Sequence, residues 1–215
     1  MKFNAGDEID SDHCNALRHE YMRCEDAFND FTKYASRLVF AGADSYLSYR
    51  AYNSYAYFIH HLYEFLVGCM AREMGDTEIT NKKIEGTNRS VKTKWIEGYI
   101  KRHTQRILDN YCRVIQDGTA PSWVNALSYY QIQVPDSFAK DFRRYRNKIN
   151  GHVSYERSSR LNLAQFFHMY HKFLYLLYTD SYHMWGNKTD LIELKEITNF
   201  TIALKDEAST IAPHT

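Results

Sequence analysis

The sequence predicts an all-α fold, an antiparallel helical bundle of five to six helices in a single domain spanning residues 1–215. Three observations predict it. Apolar residues recur in steps of three and four over long stretches, the spacing that puts them on one helical face. Only 3 prolines and 9 glycines punctuate 215 residues, few for a fold of strands and tight turns. Gly42, Gly118 and Gly151 each close a periodic stretch, where a helix C-terminus favours glycine.

The first stripe is Leu17, Tyr21, Cys24, Phe28, Phe31, Ala35 and Leu38. Asp10 or Ser11 can cap its start and Gly42 its end. Asp44 then caps a second helix reaching about residue 74, with Tyr52, Tyr55, Ile59, Leu62, Leu66 and Cys69 on its stripe. Phe58, Phe65 and Met70 widen that face, so this helix is expected to be central, with a thin polar line at Asn53, Tyr57, His60 and Glu64. The short link at 41–43 makes the first two helices an antiparallel hairpin.

Residues 75–89 read as a polar loop. A third helix comes next over about 90–117, with Ile96, Ile100, His103, Ile107, Tyr111 and Val114 on one stripe. In the connector 119–134, Pro121-Ser122 can start a short helical turn through Trp123 and Leu127, while 129–134 can also be extended. Pro135-Asp136-Ser137 is a helix start with a side-chain cap, and the fourth helix runs over 136–150. After a polar loop at 153–160, a fifth helix spans about 161–185 with Leu163, Phe167, Tyr170, Leu174 and Leu177 on its stripe. A last helix is expected over about 190–204.

Composition narrows the function classes. Net charge is +1, so a nucleic-acid site has to be a local patch, which a dimer would double. The first ten residues hold no apolar run of the signal-peptide kind. The most apolar window, 51–70, contains Asn53, His60, His61 and Glu64, which a membrane span would have to bury. Cys14, Cys24, Cys69 and Cys112 lack CxxC spacing and read as reduced thiols. The expectation is a cytoplasmic protein with no membrane partner and no cofactor. No G-x-S-x-G, phosphate-binding glycine loop or HExxH pattern is present.

The stretch that carries chemistry is Arg146-Asn147-Lys148-Ile149-Asn150-Gly151-His152. Arginine offers a planar fork of donors that matches phosphate oxygens, and histidine a proton donor or acceptor that titrates near neutral pH. The bland reading is an ordinary basic helix end, since cations favour that terminus. On a continuous helix, residues six apart point roughly 120° away from each other. If Gly151 ends the helix with φ > 0, the chain turns and His152 swings back toward Arg146, with Asn150 on the same face as Arg146.

Arg146-Asn147-x4-His152 at the end of a helix resembles the signature of the HEPN superfamily, an Arg, four to six residues and a His, with a polar residue after the Arg. Phe142-Arg143-Arg144-Tyr145 before it, Gly151-His152-Val153 within it, and the aromatic second helix around Tyr57-Phe58-Ile59-His60-His61-Leu62-Tyr63-Glu64-Phe65 are similar in character. The resemblance covers about residues 40–180, with the first and last helices as additions. It implies a helical bundle that dimerises and brings two motifs into one cleft. It also implies either a metal-independent endoribonuclease of a toxin–antitoxin or phage-defence system, or a non-catalytic relative that binds nucleotides, RNA or protein. An antitoxin or a nucleotidyltransferase is the protein partner so implied.

That chemistry suits these residues without a metal. The RNA 2′-OH attacks the adjacent phosphorus, giving a 2′,3′-cyclic phosphate and a 5′-OH end. His152 acts as general base or acid, Arg146 stabilises charge on the phosphoryl oxygens, and Asn147 orients one of these groups. Arg143, Arg144 and Lys148 hold backbone phosphates, although they spread around the helix and cannot all face one cleft. Tyr145 or Tyr155 stacks a base or, more simply, packs. His60 and Glu64 are expected to line the cleft, the carboxylate positioning the Arg146 guanidinium. The alternative, a metal held by His60 and Glu64 with His168 and His171, weighs less than ordinary hydrogen-bonded core histidines.

Overall fold

The long apolar stripes make long helices. A computed structural model describes residues 1–42, 44–78, 91–151, 161–186 and 195–211. Its helices are α1 (Glu8–Ala41), α2 (Ser45–Glu73), α3 (Val91–Gln116), the one-turn α4 (Leu127–Tyr130), α5 (Phe138–Arg146), α6 (Leu163–Trp185) and α7 (Lys195–Ile211). The described residues hold no strand, only one isolated bridge between Lys2 and Asp76. The all-α helical bundle is therefore the observed fold.

Helix α2 is central, as its wide apolar face requires. Phe58, Ile59, Leu62, Phe65 and Leu66 are buried, and rings from α1 close over them: Phe28 on Phe58 (4.9 Å), Phe31 on Tyr55 (4.7 Å) and Tyr21 on Phe65 (5.0 Å). The α1–α2 hairpin is tight because Gly68 has no side chain. A Cβ there would lie 2.5 Å from Leu17 Cδ2. The Gly68 carbonyl also lies 2.9 Å from His13 Nε2. Toward the open end of the hairpin, Arg72 holds Asp10 through two hydrogen bonds of 2.8 and 3.1 Å. On the other side of α2, the α5 stripe Phe138, Phe142, Tyr145 and Ile149 packs inward. Phe166, Tyr170 and Phe173 of α6 cover it, and Tyr21 of α1 donates to the Tyr178 carbonyl of α6 (2.8 Å).

Several boundaries differ from those the sequence suggests. Asp7, not Asp10 or Ser11, caps α1 by accepting from the Asp10 N–H (2.8 Å), which frees the Asp10 carboxylate for Arg72. Around Pro121 the chain makes only a tight turn, and the helical turn comes at Leu127–Tyr130. Helix α5 starts two residues later than expected, and its start has no side-chain cap. The Ser137 hydroxyl pairs with the Tyr170 hydroxyl instead (2.8 Å), and Asp136 with Lys101. Asn162 caps α6 by accepting from the Gln165 N–H (2.9 Å). The last helix reaches Ile211 rather than 204, because the helix-favouring run 203–208 carries it onward, and its expected start at 190 lies outside the described residues.

The fourth helix does not stop at Asn150. Its final turn widens into a π-helix over Asn147–Gly151. Wider turns of this kind put one more residue into the helix and shift the facing of the residues beyond them. Here the widened turn still buries Ile149 in the core, 1% exposed.

Candidate functional site

The site forms where the last turn of α5 crosses the middle of α2. Arg146 sits beside the apolar stripe Phe142–Tyr145–Ile149, so its stem is drawn toward the core and its head stays at the edge. Glu64 and His60 occupy one polar line of α2, four residues apart and therefore one turn apart. The crossing presses these two polar borders together. Arg146 Nη2 pairs with Glu64 Oε1, and the side chains keep 29% and 31% of their surface. Arg146 Nη1 donates to Asn147 Oδ1 (2.7 Å), and the guanidinium lies 5.6 Å from the centre of the Tyr63 ring. Asn147 thus steers the fork from the neighbouring position, while Tyr63 supports it from below.

The fork is only partly used. Arg146 Nε, Glu64 Oε1 and His60 Nδ1 are buried and make no hydrogen bond to the described residues. Glu64 Oε1 touches the guanidinium, but the approach is not aligned as a hydrogen bond. Three polar atoms with unspent hydrogen-bonding capacity in one corner of a protein form a place for a polar ligand or water.

Next to this corner, His60 and His61 meet edge to face with ring centres 5.1 Å apart, and His61 Nδ1 lies 2.8 Å from Glu20 Oε1 of α1. Burial, then the Arg146 charge and His61, push the His60 pKa below its ordinary value, with Glu64 and Glu20 opposing. His60 is thereby kept neutral at neutral pH. Burial alone would raise the Glu20 carboxyl, but its hydrogen bond to His61 and the nearby cations hold it below the usual carboxylate range. Burial raises the Tyr63 hydroxyl, so Tyr63 is a neutral phenol here.

The structure brings together Arg146, Asn147, Glu64 and His60 from the sequence-predicted set. His152 and Tyr155, and the side chain of Asn150, lie outside the described residues. Arg143 does not face the same corner. Its Nε donates to Glu97 of α3 (3.0 Å), which ties α5 to α3. Arg144 is exposed and Lys148 half-buried. Tyr145 packs, stacked on Phe166 at 4.3 Å with its hydroxyl donating to the Asn162 carbonyl (3.0 Å). The two histidine pairs considered for a metal do not converge. No group of three potential metal ligands occurs among the described residues, and the half-buried His171 faces the Tyr55 hydroxyl (3.1 Å). Sequence reasoning missed Glu20 and Tyr63. An acid one residue before the stripe position Tyr21 was the available signal for Glu20, whereas Tyr63 looked like one core aromatic among many.

Comparison with protein-family models, with curated proteins and with solved structures finds no match to this chain. No described helix is long and apolar enough to cross a membrane.

Proposed function

We propose that the chain is a metal-independent endoribonuclease of the HEPN kind, acting as a dimer in the cytoplasm within a toxin–antitoxin or phage-defence system. One observation carries the reading: a half-buried arginine fork whose Nε is unspent, set against a carboxylate and a neutral histidine that also have unspent atoms. A phosphodiester fits that donor set, its oxygens accepting from the exposed edge of the fork. Arg146 then stabilises the charge that grows on the phosphoryl oxygens as the 2′-OH attacks. Glu64, Asn147 and Tyr63 fix the fork, so the rotational freedom of the guanidinium is lost before RNA binds. His152, six residues on, takes the 2′-OH proton or returns one to the departing 5′-oxygen. His60, neutral and with a free ring nitrogen, is suited to the accepting half of that exchange.

The test is incubation of the purified chain with total RNA in EDTA, beside Arg146→Ala and His152→Ala variants, followed by analysis of the RNA ends. Cyclic-phosphate ends made only by the unmodified protein are expected. Equal cleavage by folded variants would remove the mechanism.

A second reading has its own observation. The Glu64 carboxylate offsets part of the Arg146 charge, which weakens the pull on a phosphoryl group and suits a module that holds a nucleotide, an RNA or a partner protein without turnover. Ligand binding lost in Arg146→Ala, with no cleavage by any form, would favour it.

A further inference from the structure

The net charge of +1 conceals an uneven distribution. Lys94, Arg102, Arg106 and Arg113 are exposed on α3. Their spacings of eight, four and seven residues keep them on one side of the helix, over roughly 28 Å at 1.5 Å per residue. The closest polar partners of Arg106 and Arg113 are uncharged: Arg106 reaches His103 Nδ1 (2.7 Å) and Arg113 donates to Asn110 Oδ1 (2.8 Å). No carboxylate among the described residues forms an ion pair with Lys94, Arg102, Arg106 or Arg113, whereas Lys101 is taken by Asp136 and Arg143 by Glu97.

The surface between these cations is concave. A cleft of about 560 Å³ takes in Lys94, Trp95, Gly98, Arg102 and Lys140, and a groove of about 410 Å³ takes in Arg102, Arg106 and Arg113. Arg102 belongs to both, so the two form one track. Gly98 makes room for it: a Cβ there would stand 3.1 Å from Arg102 Nη1, so the missing side chain lets the guanidinium lie back along the helix. Trp95 keeps 40% of its surface exposed among the cations. Glu73, Glu97, Asp136 and Asp109 also border the track and lower its field; Glu97 and Asp136 are taken by Arg143 and Lys101, and no ion pair joins Glu73 or Asp109 to these arginines among the described residues.

We propose that this α3 track binds the phosphate backbone of single-stranded RNA, with Trp95 as a stacking face for a base, and leads the strand to the Arg146 corner. The identity of the strand as RNA rests on the function proposed above. Unpaired cations at intervals with an aromatic ring between them are what a strand needs, since phosphates take the charge and any base can take the ring. An anionic membrane fits less well, because among the described residues of the track only Trp95 and Met74 are exposed large apolar side chains, too few for an apolar face that inserts into lipid. The track also reaches the helix that carries the site: Lys140 of α5 lines its cleft, and Arg143, three residues before Arg146, donates to Glu97 of α3.

The experiment uses a fluorescein-labelled 2′-O-methyl oligouridylate of about 20 nucleotides, which lacks the attacking 2′-OH and so reports binding alone. Its anisotropy is followed over a salt series with the unmodified chain, with Arg106→Gln/Arg113→Gln, and with Lys33→Gln/Arg37→Gln, which removes the same charge from exposed positions of α1. The track variant is expected to bind about tenfold more weakly at low salt, and to lose about 1.4 from the slope of log K against log salt; the α1 variant should change little. Trp95→Ala is expected to lower affinity and leave the slope alone. No binding by the unmodified chain at about 50 mM salt, or equal losses in the two double variants, would overturn the track. So would binding to phosphatidylserine vesicles, lost in the track variant, in the absence of RNA binding. The two proposals fail separately. Absence of RNA cleavage together with track-dependent oligouridylate binding removes the nuclease and keeps the track; cleavage at Arg146 with unchanged binding in the track variant does the reverse.

Discussion

Among the described residues, helix α2 makes two arginine–carboxylate pairs, and they are built differently. At its C-terminal end Arg72 grips Asp10 through Nε and Nη2, and Asp10 also accepts from the Gly6 N–H at 2.8 Å. The hydrogen bond to Arg72, then that from Gly6, hold the Asp10 carboxyl well below the usual carboxylate range. In the middle of the helix, Glu64 touches Arg146 through one nitrogen, and both Arg146 Nε and Glu64 Oε1 are left without a hydrogen bond among the described residues. The first pair is spent on the fold, since it locks α1 to α2 with its polar atoms satisfied. The second keeps capacity in reserve, which costs stability unless something else uses it. Completeness separates a structural ion pair from a candidate site more sharply than burial does.

The largest expected effects set these two pairs against each other. Arg146→Ala should lower RNA cleavage by about 10²-fold or more, the loss seen when a donor to a developing oxyanion is removed, and leave the thermal midpoint nearly in place. Arg72→Ala should do the opposite, lowering the midpoint by several degrees while the folded fraction still cleaves. Circular dichroism melts read beside cleavage per folded molecule check both. A melt of Arg146→Ala as low as that of Arg72→Ala would erase the distinction.

A smaller effect sharpens the role of the carboxylate. Glu64→Gln keeps an acceptor for Arg146 but removes a negative charge from the phosphate corner. RNA should then bind somewhat more tightly at low salt while the cleavage rate falls by about tenfold, because the fork is held less firmly. Single-turnover rates over a range of protein concentration separate the two. Weaker binding with an unchanged rate would mean that Glu64 serves the ligand directly.

Much of this was legible in the sequence, for identifiable reasons. The stripe Phe138, Phe142, Tyr145, Ile149 fixes which side of α5 is buried, and Arg146, adjacent to it, must then lie at the border. Glu64 on an apolar helix needs a partner, and a cation one border away supplies it. The illegible part depends on register between helices. Glu20 meets His61 only because the α1–α2 hairpin closes to the distance that Gly68 permits, and nothing local reports that. Asp7 and Asp10 are both competent caps, so the choice between them rests on Arg72, 62 residues away. The widened turn at Asn147–Gly151 is invisible in the same way. No residue in it forbids an α-helix before Gly151, and Ile149 continues the α-helical stripe of Phe138, Phe142 and Tyr145, so the pattern reads as plain α-helix through the widened turn.

Gly68 sets the closure of the hairpin, and it can be changed alone. Gly68→Ala places a methyl group 2.5 Å from Leu17 Cδ2, so Leu17 must change rotamer or α1 must move outward. The expected cost is about 1–3 kcal/mol, visible as a lower urea midpoint. Because Glu20 rides on α1, its bond to His61 should lengthen, whereas the Arg146–Glu64 pair, held by α2 and α5, should be untouched. Cleavage per folded molecule should therefore stay close to that of the unmodified chain.

The smallest expected effect tests whether a satisfied histidine behaves differently from His60. His171 is surrounded by Phe31, Tyr55 and Phe167, and burial lowers its pKa from 6.5 to about 4. The unfolded chain takes up a proton there below about 6.5 and the folded chain refuses it until about 4. Stability from this residue is therefore complete above pH 6.5, falls as the pH drops through that window, and levels off below it. Replacing His171 with Gln keeps an acceptor for the Tyr55 hydroxyl and removes the titration. The urea midpoint of that variant should decline less between pH 7 and pH 5 than the midpoint of the unmodified chain, with cleavage at pH 7 unaltered. His60→Gln is the contrast: its pKa is also lowered, but its ring nitrogen is unspent, so a change in the pH–rate profile belongs to it and not to His171. The same shift in the profile from both variants would mean that the pH dependence of cleavage reports folding rather than proton transfer at the site.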